Sequence, residues 1–208
     1  MNPVRRLVRW AAPALVISLG ACAADPPAAV VAVRAEGCGA IGGVGAFVAD
    51  GLVLTAAHTV AGATSLSVVR DGTPQPAEVA ALDPGLDLAL LRTAGPAGHT
   101  YTTSTGTVAA GAVATVWTVR DGQPEAVPVT VVRRVVIDTT DIYLEGTYHR
   151  PGLELEGAIE PGDSGAPVVA AGVLVGVVWA RSTAAFGRAW AIEPVPVSGS
   201  ADTTRCAG

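Results

Sequence analysis

The feature that most limits the fold is a rhythm of short apolar runs. They fall at 41–48, 52–56, 64–70, 77–82 and 88–92, and again at 113–120, 126–136, 142–146, 166–170, 173–180 and 188–194. Turn pairs such as Asp50-Gly51 and Asp71-Gly72 punctuate them, and no convincing amphipathic helix follows residue 38. Runs this short, rich in β-branched residues and bounded by turn formers, read as strands. A polar stretch over 93–106 separates the two sets. Two sets of about six strands predict an all-β chain of two antiparallel six-stranded barrels, with any site in the cleft between them. Half of the 208 residues are apolar, too many for disorder, and the 25 Gly and 15 Pro follow no three-residue period, which excludes a collagen-like chain.

The N-terminus has a different texture. Arg5, Arg6 and Arg9 precede an apolar run over 11–21 that ends in small residues, the pattern of an export signal. The run is about half the ~20 residues that a membrane-spanning helix needs. Leu19-Gly20-Ala21-Cys22 resembles a bacterial lipobox, which would make Cys22 the lipidated first residue after cleavage of 1–21; Ala21-Cys22-Ala23 also fits an ordinary signal-peptidase site. Removing 1–21 takes away three Arg and no acid, so the net charge moves from −5 to −8. All basic residues are Arg. An acidic, Lys-free surface argues against nucleic acid and against electrostatic capture by anionic lipid, leaving the N-terminal lipid as the membrane contact. Residues 22–37 read as a tether, and 38–208 as the folded body, with barrels over about 38–98 and 106–198. Cys38 and Cys206 remain as an even pair in an oxidising compartment, where a disulfide is the expectation and two separate thiols the alternative.

Three segments carry chemistry: Thr55-Ala56-Ala57-His58, Asp87-Leu88-Ala89-Leu90-Leu91 and Gly162-Asp163-Ser164-Gly165-Ala166-Pro167. A serine hydroxyl needs a base to take its proton as it attacks, and an imidazole needs a carboxylate to fix its tautomer. Asp87 leads into an apolar strand, whereas its competitor Asp83 sits in an Asp-Pro-Gly turn. In the order His, Asp, Ser, over about 39–197, the segments resemble the chymotrypsin-like serine peptidases. Their compact spacing is similar to the protease module of the high-temperature-requirement branch, and the sequence stops before any PDZ domain. The resemblance implies peptide-bond hydrolysis by His58, Asp87 and Ser164, an oxyanion hole from the Gly162 and Ser164 amides, a buried structural role for Asp163, and neither cofactor nor metal. It implies a protein or peptide substrate and a monomer. Since Ile41-Gly42-Gly43 reads as the first barrel strand, activation by a newly freed N-terminus is not expected. The rival reading is a peptide-binding pseudoprotease of the same fold.

The same resemblance places the primary pocket. Its base falls at Ala158, next to Ile159, where trypsin-type relatives carry an acid; no His stands on the strand before the pocket wall, as glutamyl-specific relatives require. Trp179, Ala180 and Arg181 should form the wall. Small or medium apolar P1 residues are therefore expected. The family's supporting Ser for the triad Asp is absent, since Val178-Trp179-Ala180 stands in place of Ser-Trp-Gly. His99 and His149 read as surface residues, Glu154, Glu156 and Glu160 as a solvated acidic rim, and Arg133-Arg134 as a solvated strand end.

Overall fold

A computed structural model describes residues 27–37, 42–106, 108–200 and 203–208. The export segment, Cys22, Cys38 and Ile41 lie outside them. The first barrel contains β1 (Val30–Gly37), β2 (Gly43–Ala49), β3 (Leu52–Ala56), β4 (Ala63–Arg70), β5 (Thr73–Asp83) and β6 (Leu88–Thr93), in the order β1-β2-β3-β6-β5-β4. Antiparallel pairing of β1 with β4 closes it. The second contains β7 (Val113–Arg120), β8 (Gln123–Thr139), β9 (Tyr148–Glu156), β10 (Pro167–Ala170), β11 (Val173–Arg181) and β12 (Arg188–Ile192), ordered β10-β11-β12-β9-β8-β7 and closed between β10 and β7. The all-β, two-barrel expectation is met.

Two segments differ from the sequence reading. Residues 30–37, read as part of a tether, are the opening strand of the first barrel, pairing with both β2 and β4 and burying Val30, Val31 and Val33. The run beginning near residue 41 is thus the second strand, and the first barrel's strands span 30–93. The expected strand at 142–146 is a turn; its place is taken by β9, which carries Pro151 and Gly152. Glycine is needed there, since a Cβ on Gly152 would stand 2.6 Å from the Ala191 carbonyl oxygen across the β12 pairing. Glycine in a strand interior weakens it by roughly 0.5–1 kcal/mol. Full burial of Leu153 and Leu155 contributes roughly 1.5–3 kcal/mol each, so packing outweighs local propensity.

The link between β6 and β7 is sewn to both barrels. Tyr101 donates its amide to Phe47 of β2, and residues 102 and 104 exchange backbone bonds with Leu174 of β11. A single apolar cluster runs through both barrels, so the facing loops are held in a fixed relation.

Candidate active site

His58 stands on a short 3-10 turn, Ala57–Thr59, directly after β3. The turn is fixed by Thr59, whose hydroxyl donates to the Ala56 carbonyl at 2.7 Å, and by Thr55, whose hydroxyl donates to the Val44 carbonyl at 2.7 Å. Asp87 precedes β6 with φ of 58°, a left-handed conformation that aspartate tolerates better than most side chains. Its carboxylate meets His58 twice. The His58 amide donates to Oδ1 at 2.8 Å, and Nδ1 lies 2.9 Å from Oδ2. The Asp87 carbonyl also accepts from the Ala57 amide at 3.1 Å. Asp87 is 2% exposed. With Nδ1 held as the donor, the basic Nε2 is left to face outward. Asp83 does a turn's work instead, accepting the Leu86 amide at 2.9 Å.

The Ser164 loop crosses from the second barrel to the first. Its carbonyl accepts the Val44 amide at 2.9 Å. Gly165 has φ of +86°, and a Cβ there would fall 2.1 Å from the Val44 oxygen and 2.4 Å from Thr55 Oγ1. Only glycine lets the loop seat against β2 and the end of β3 that leads into the His58 turn. On the other side, the Gly165 amide donates to Val178 and the Val178 amide to Ala166, tying the loop to β11 one residue before Trp179. Gly162 has φ of +99°. Among the described residues, neither the Gly162 nor the Ser164 amide donates to a backbone carbonyl.

Between them, Asp163 is buried and clamped. It accepts from the Thr118 hydroxyl, from Arg120 Nη2 at 3.0 Å and from the Glu160 amide at 2.8 Å. Arg120 also reaches Glu160 at 2.7 Å. Desolvation works to lower the Arg120 pKa, but the charges of Asp163, Glu160 and Glu125 outweigh it and leave it raised.

His58 and Asp87 border a cleft of about 530 Å³ that Trp179 and Ala180 also line, together with the 139–144 loop and Arg150. The remaining expected pocket residues sit elsewhere. Ala158 and Arg181 are exposed, and Ile159 packs into the apolar cluster. Glu154 corrects the reading as acidic rim: it is buried and held by Arg133 and Arg188. Arg133 correspondingly stands inside β8 and pairs across to Glu154 of β9. Thr118, Arg120 and Arg150 are the residues that the sequence reading missed at the site.

The trypsin-like peptidase domain matches residues 43–177. The chain belongs to that family. Among solved structures, the active form of the Rv3671c protease from M. tuberculosis superposes with a TM-score of 0.80 at 22% identity, over 100% of this chain and 99% of that one. The HtrA-type protease AlgW with a decapeptide gives 0.66 at 20% identity, over 81% of this chain and 61% of that one. The MamO protease domain from Magnetospirillum magneticum gives 0.66 at 24% identity, over 81% and 93%. At these identities the likeness is one of fold. Among curated proteins, none matches the chain in sequence. Val178 stands where the family resemblance expects a serine, and Arg150 Nη1 approaches the Asp87 carboxylate at 3.6 Å.

Proposed function

We propose that this trypsin-like domain is a catalytically competent, exported serine endopeptidase. The observation that carries the reading is the paired bond between His58 and Asp87, with the Ser164 loop docked on β2 and against the end of β3 that leads into the His58 turn. In the forward step His58 takes the Ser164 proton as Oγ attacks the substrate carbonyl. The negative charge on the carbonyl oxygen is met by the Gly162 and Ser164 amides. His58 returns the proton to the leaving amine, and the acyl group stays on Ser164. Water, deprotonated by His58, then releases the acid and restores the serine. Trp179 and Ala180 present the wall along which an extended peptide lies. The family resemblance, rather than the cleft lining, assigns Ala158, Ile159 and Arg181 to the primary pocket, and the chain is read as a monomer.

The export signal and lipobox motif support a lipoprotein anchored through Cys22 on the outer face of the cell membrane. A disulfide between Cys38 and Cys206 agrees with the placement of both neighbourhoods: Gly37 abuts Gly62, and the Gly62 amide donates to Thr203. Mass analysis of the exported protein for diacylglycerol on Cys22 and for free thiols tests both points. The activity is tested with a fluorophosphonate probe. Labelling of the wild type that vanishes in Ser164→Ala supports the peptidase; folded protein that never reacts supports a peptide-binding pseudoprotease.

A further inference from the structure

We propose that Arg150 is a positioning residue of the catalytic centre, supplying to Asp87 the support that a hydroxyl would otherwise give. The proposal rests on the peptidase reading above. Arg150 comes from β9 in the second barrel, yet its guanidinium reaches across to the turn that holds Asp87 in the first. Nε donates to the Gly85 carbonyl at 2.6 Å and Nη2 to the Thr140 carbonyl at 2.9 Å, with Pro84 at 3.4 Å. Nη1 lies 3.6 Å from Asp87 Oδ2, the oxygen that faces His58 Nδ1. The side chain is 2% exposed, and its charge lies 5.3 Å from the ring centroid of Trp179 on the cleft wall. One guanidinium therefore ties together the Asp87 turn, the 140 loop and the cleft wall.

A buried cation needs a reason. Burying an arginine costs free energy unless it is paired and hydrogen-bonded, and three backbone carbonyls plus a carboxylate offset that cost. Burial still pulls the guanidinium below its ordinary range, opposed by the charges of Asp87, Asp141 and Asp83 in that order. Asp83 ends β5, Asp87 closes the turn before β6, and Asp141 lies in the β8–β9 loop. β11 contributes Trp179, which is uncharged. Arg150 is thus set against three carboxylates beside His58, and one of them, Asp141, also feels the charge of Arg205 from the C-terminal segment.

Two consequences follow for the reaction. The carbonyl bonds hold the φ of 58° that aims the Asp87 carboxylate at the His58 ring. The positive charge shares Asp87 Oδ2 with His58 Nδ1, so Arg150 competes with the ring for that oxygen. Removing the charge should favour imidazolium and move the acid limb of activity to higher pH. A packing role alone would change the rate without moving that limb.

The experiment follows second-order labelling of Ser164 by a fluorophosphonate probe as a function of pH, with circular dichroism and thermal melts as controls for folding. Arg150→Met should label about 10–100-fold more slowly and show its acid limb about one pH unit higher. Arg150→Lys, which keeps the cation but not the planar fork, should be roughly tenfold slower with its limb close to that of wild type. A folded Arg150→Met with wild-type rate and limb overturns the proposal, as does one with a slower rate and an unmoved limb. If Arg150→Met does not fold, Arg150→Gln, which keeps hydrogen-bond donors but not the charge, decides by the same two readouts: slowed labelling with the limb about one pH unit higher supports the proposal, and an unmoved limb overturns it. A wild type that never labels defeats the peptidase reading itself, a result distinct from these.

Discussion

Arg120 Nη2 lies 3.0 Å from Asp163 Oδ2, so a cation at the end of β7 pairs with the carboxylate next to the proposed nucleophile. Both partners belong to the folded domain, and the pair needs no chain end created by proteolysis. With Thr118 donating to the other oxygen, Asp163 holds the backbone between Gly162 and Ser164 in one conformation.

It follows that Arg120→Ala should lower kcat by about 10–100-fold with little change in KM, because an oxyanion donor that drifts loses transition-state binding only. Thr118→Val should act in the same direction. The comparison is steady-state kinetics on a peptide substrate, with fold checked by circular dichroism. An equal rise in KM at constant kcat would mean that the Arg120–Asp163 pair shapes the substrate groove and not the oxyanion loop.

The triad assignment makes a sharper demand. Ser164→Ala and His58→Ala should each lower kcat by several orders of magnitude, and the double variant should lose little more, because the two act as a unit. Asp87→Asn should cost about 10⁴-fold. Asp83→Asn, which alters the Leu86 turn bond and one of the three charges facing Arg150 but not the contact with His58, should cost far less. Additive losses in the double variant, or a reversed order for the two acids, would remove this assignment.

How much of this was legible beforehand depends on what each residue type signals. His58, Asp87 and Ser164 sit in short motifs whose neighbours have backbone duties, so they could be picked out without coordinates. Most strands announced themselves by apolar runs between turns. β1 did not, because its Ala- and Val-rich stretch follows a Pro-rich segment and shows no alternation until β2 and β4 flank it. β9 hid behind Pro151-Gly152, a pair that reads as a turn unless a neighbouring backbone requires the missing Cβ. Arg150 was invisible for a different reason. An arginine beside a proline reads as surface, and only the coordinates show three carbonyls converging on it. The one available sign was negative: Val178 stands where the resemblance expects a serine to support Asp87. Glu154 and Arg133 misled in the same way, since strand pairing, not sequence separation, brings them together.

That buried cluster gives a pH prediction. A side-chain hydrogen bond from Arg133, opposed by desolvation and reinforced by the charges of Arg133 and Arg188, lowers the Glu154 pKa below the ordinary carboxylate range. A depressed folded-state pKa stabilises the protein above the unfolded value of about 4.3, and that contribution is lost as pH falls through the folded value. Arg133 is largely exposed, so the effect is discounted to about 1 kcal/mol. Glu154→Gln should lower Tm by about 2–4 °C at pH 7, and the gap should close below about pH 4. Thermal melts across pH 3–8 check it, and a gap that stays constant with pH would assign the loss to packing.

The last prediction concerns the primary pocket, where the proposed base is Ala158. A methyl group there offers no partner for a buried charge, so a charged P1 side chain would lose hydration without compensation. Small or medium apolar P1 residues such as Ala, Val or Leu should be preferred, as cleavage-site profiling with a peptide library would show. Arg181, exposed at the end of β11, would admit an acidic P1 if it turned inward, and the same profiling would show that preference. Ala158→Asp is the decisive substitution. A carboxylate at the pocket base should redirect cleavage toward Arg and Lys, because the charge now has a buried partner. Should wild type already cut after Arg or Lys, or should a folded, active Ala158→Asp keep its P1 profile, the base of the pocket lies elsewhere in the 156–161 loop.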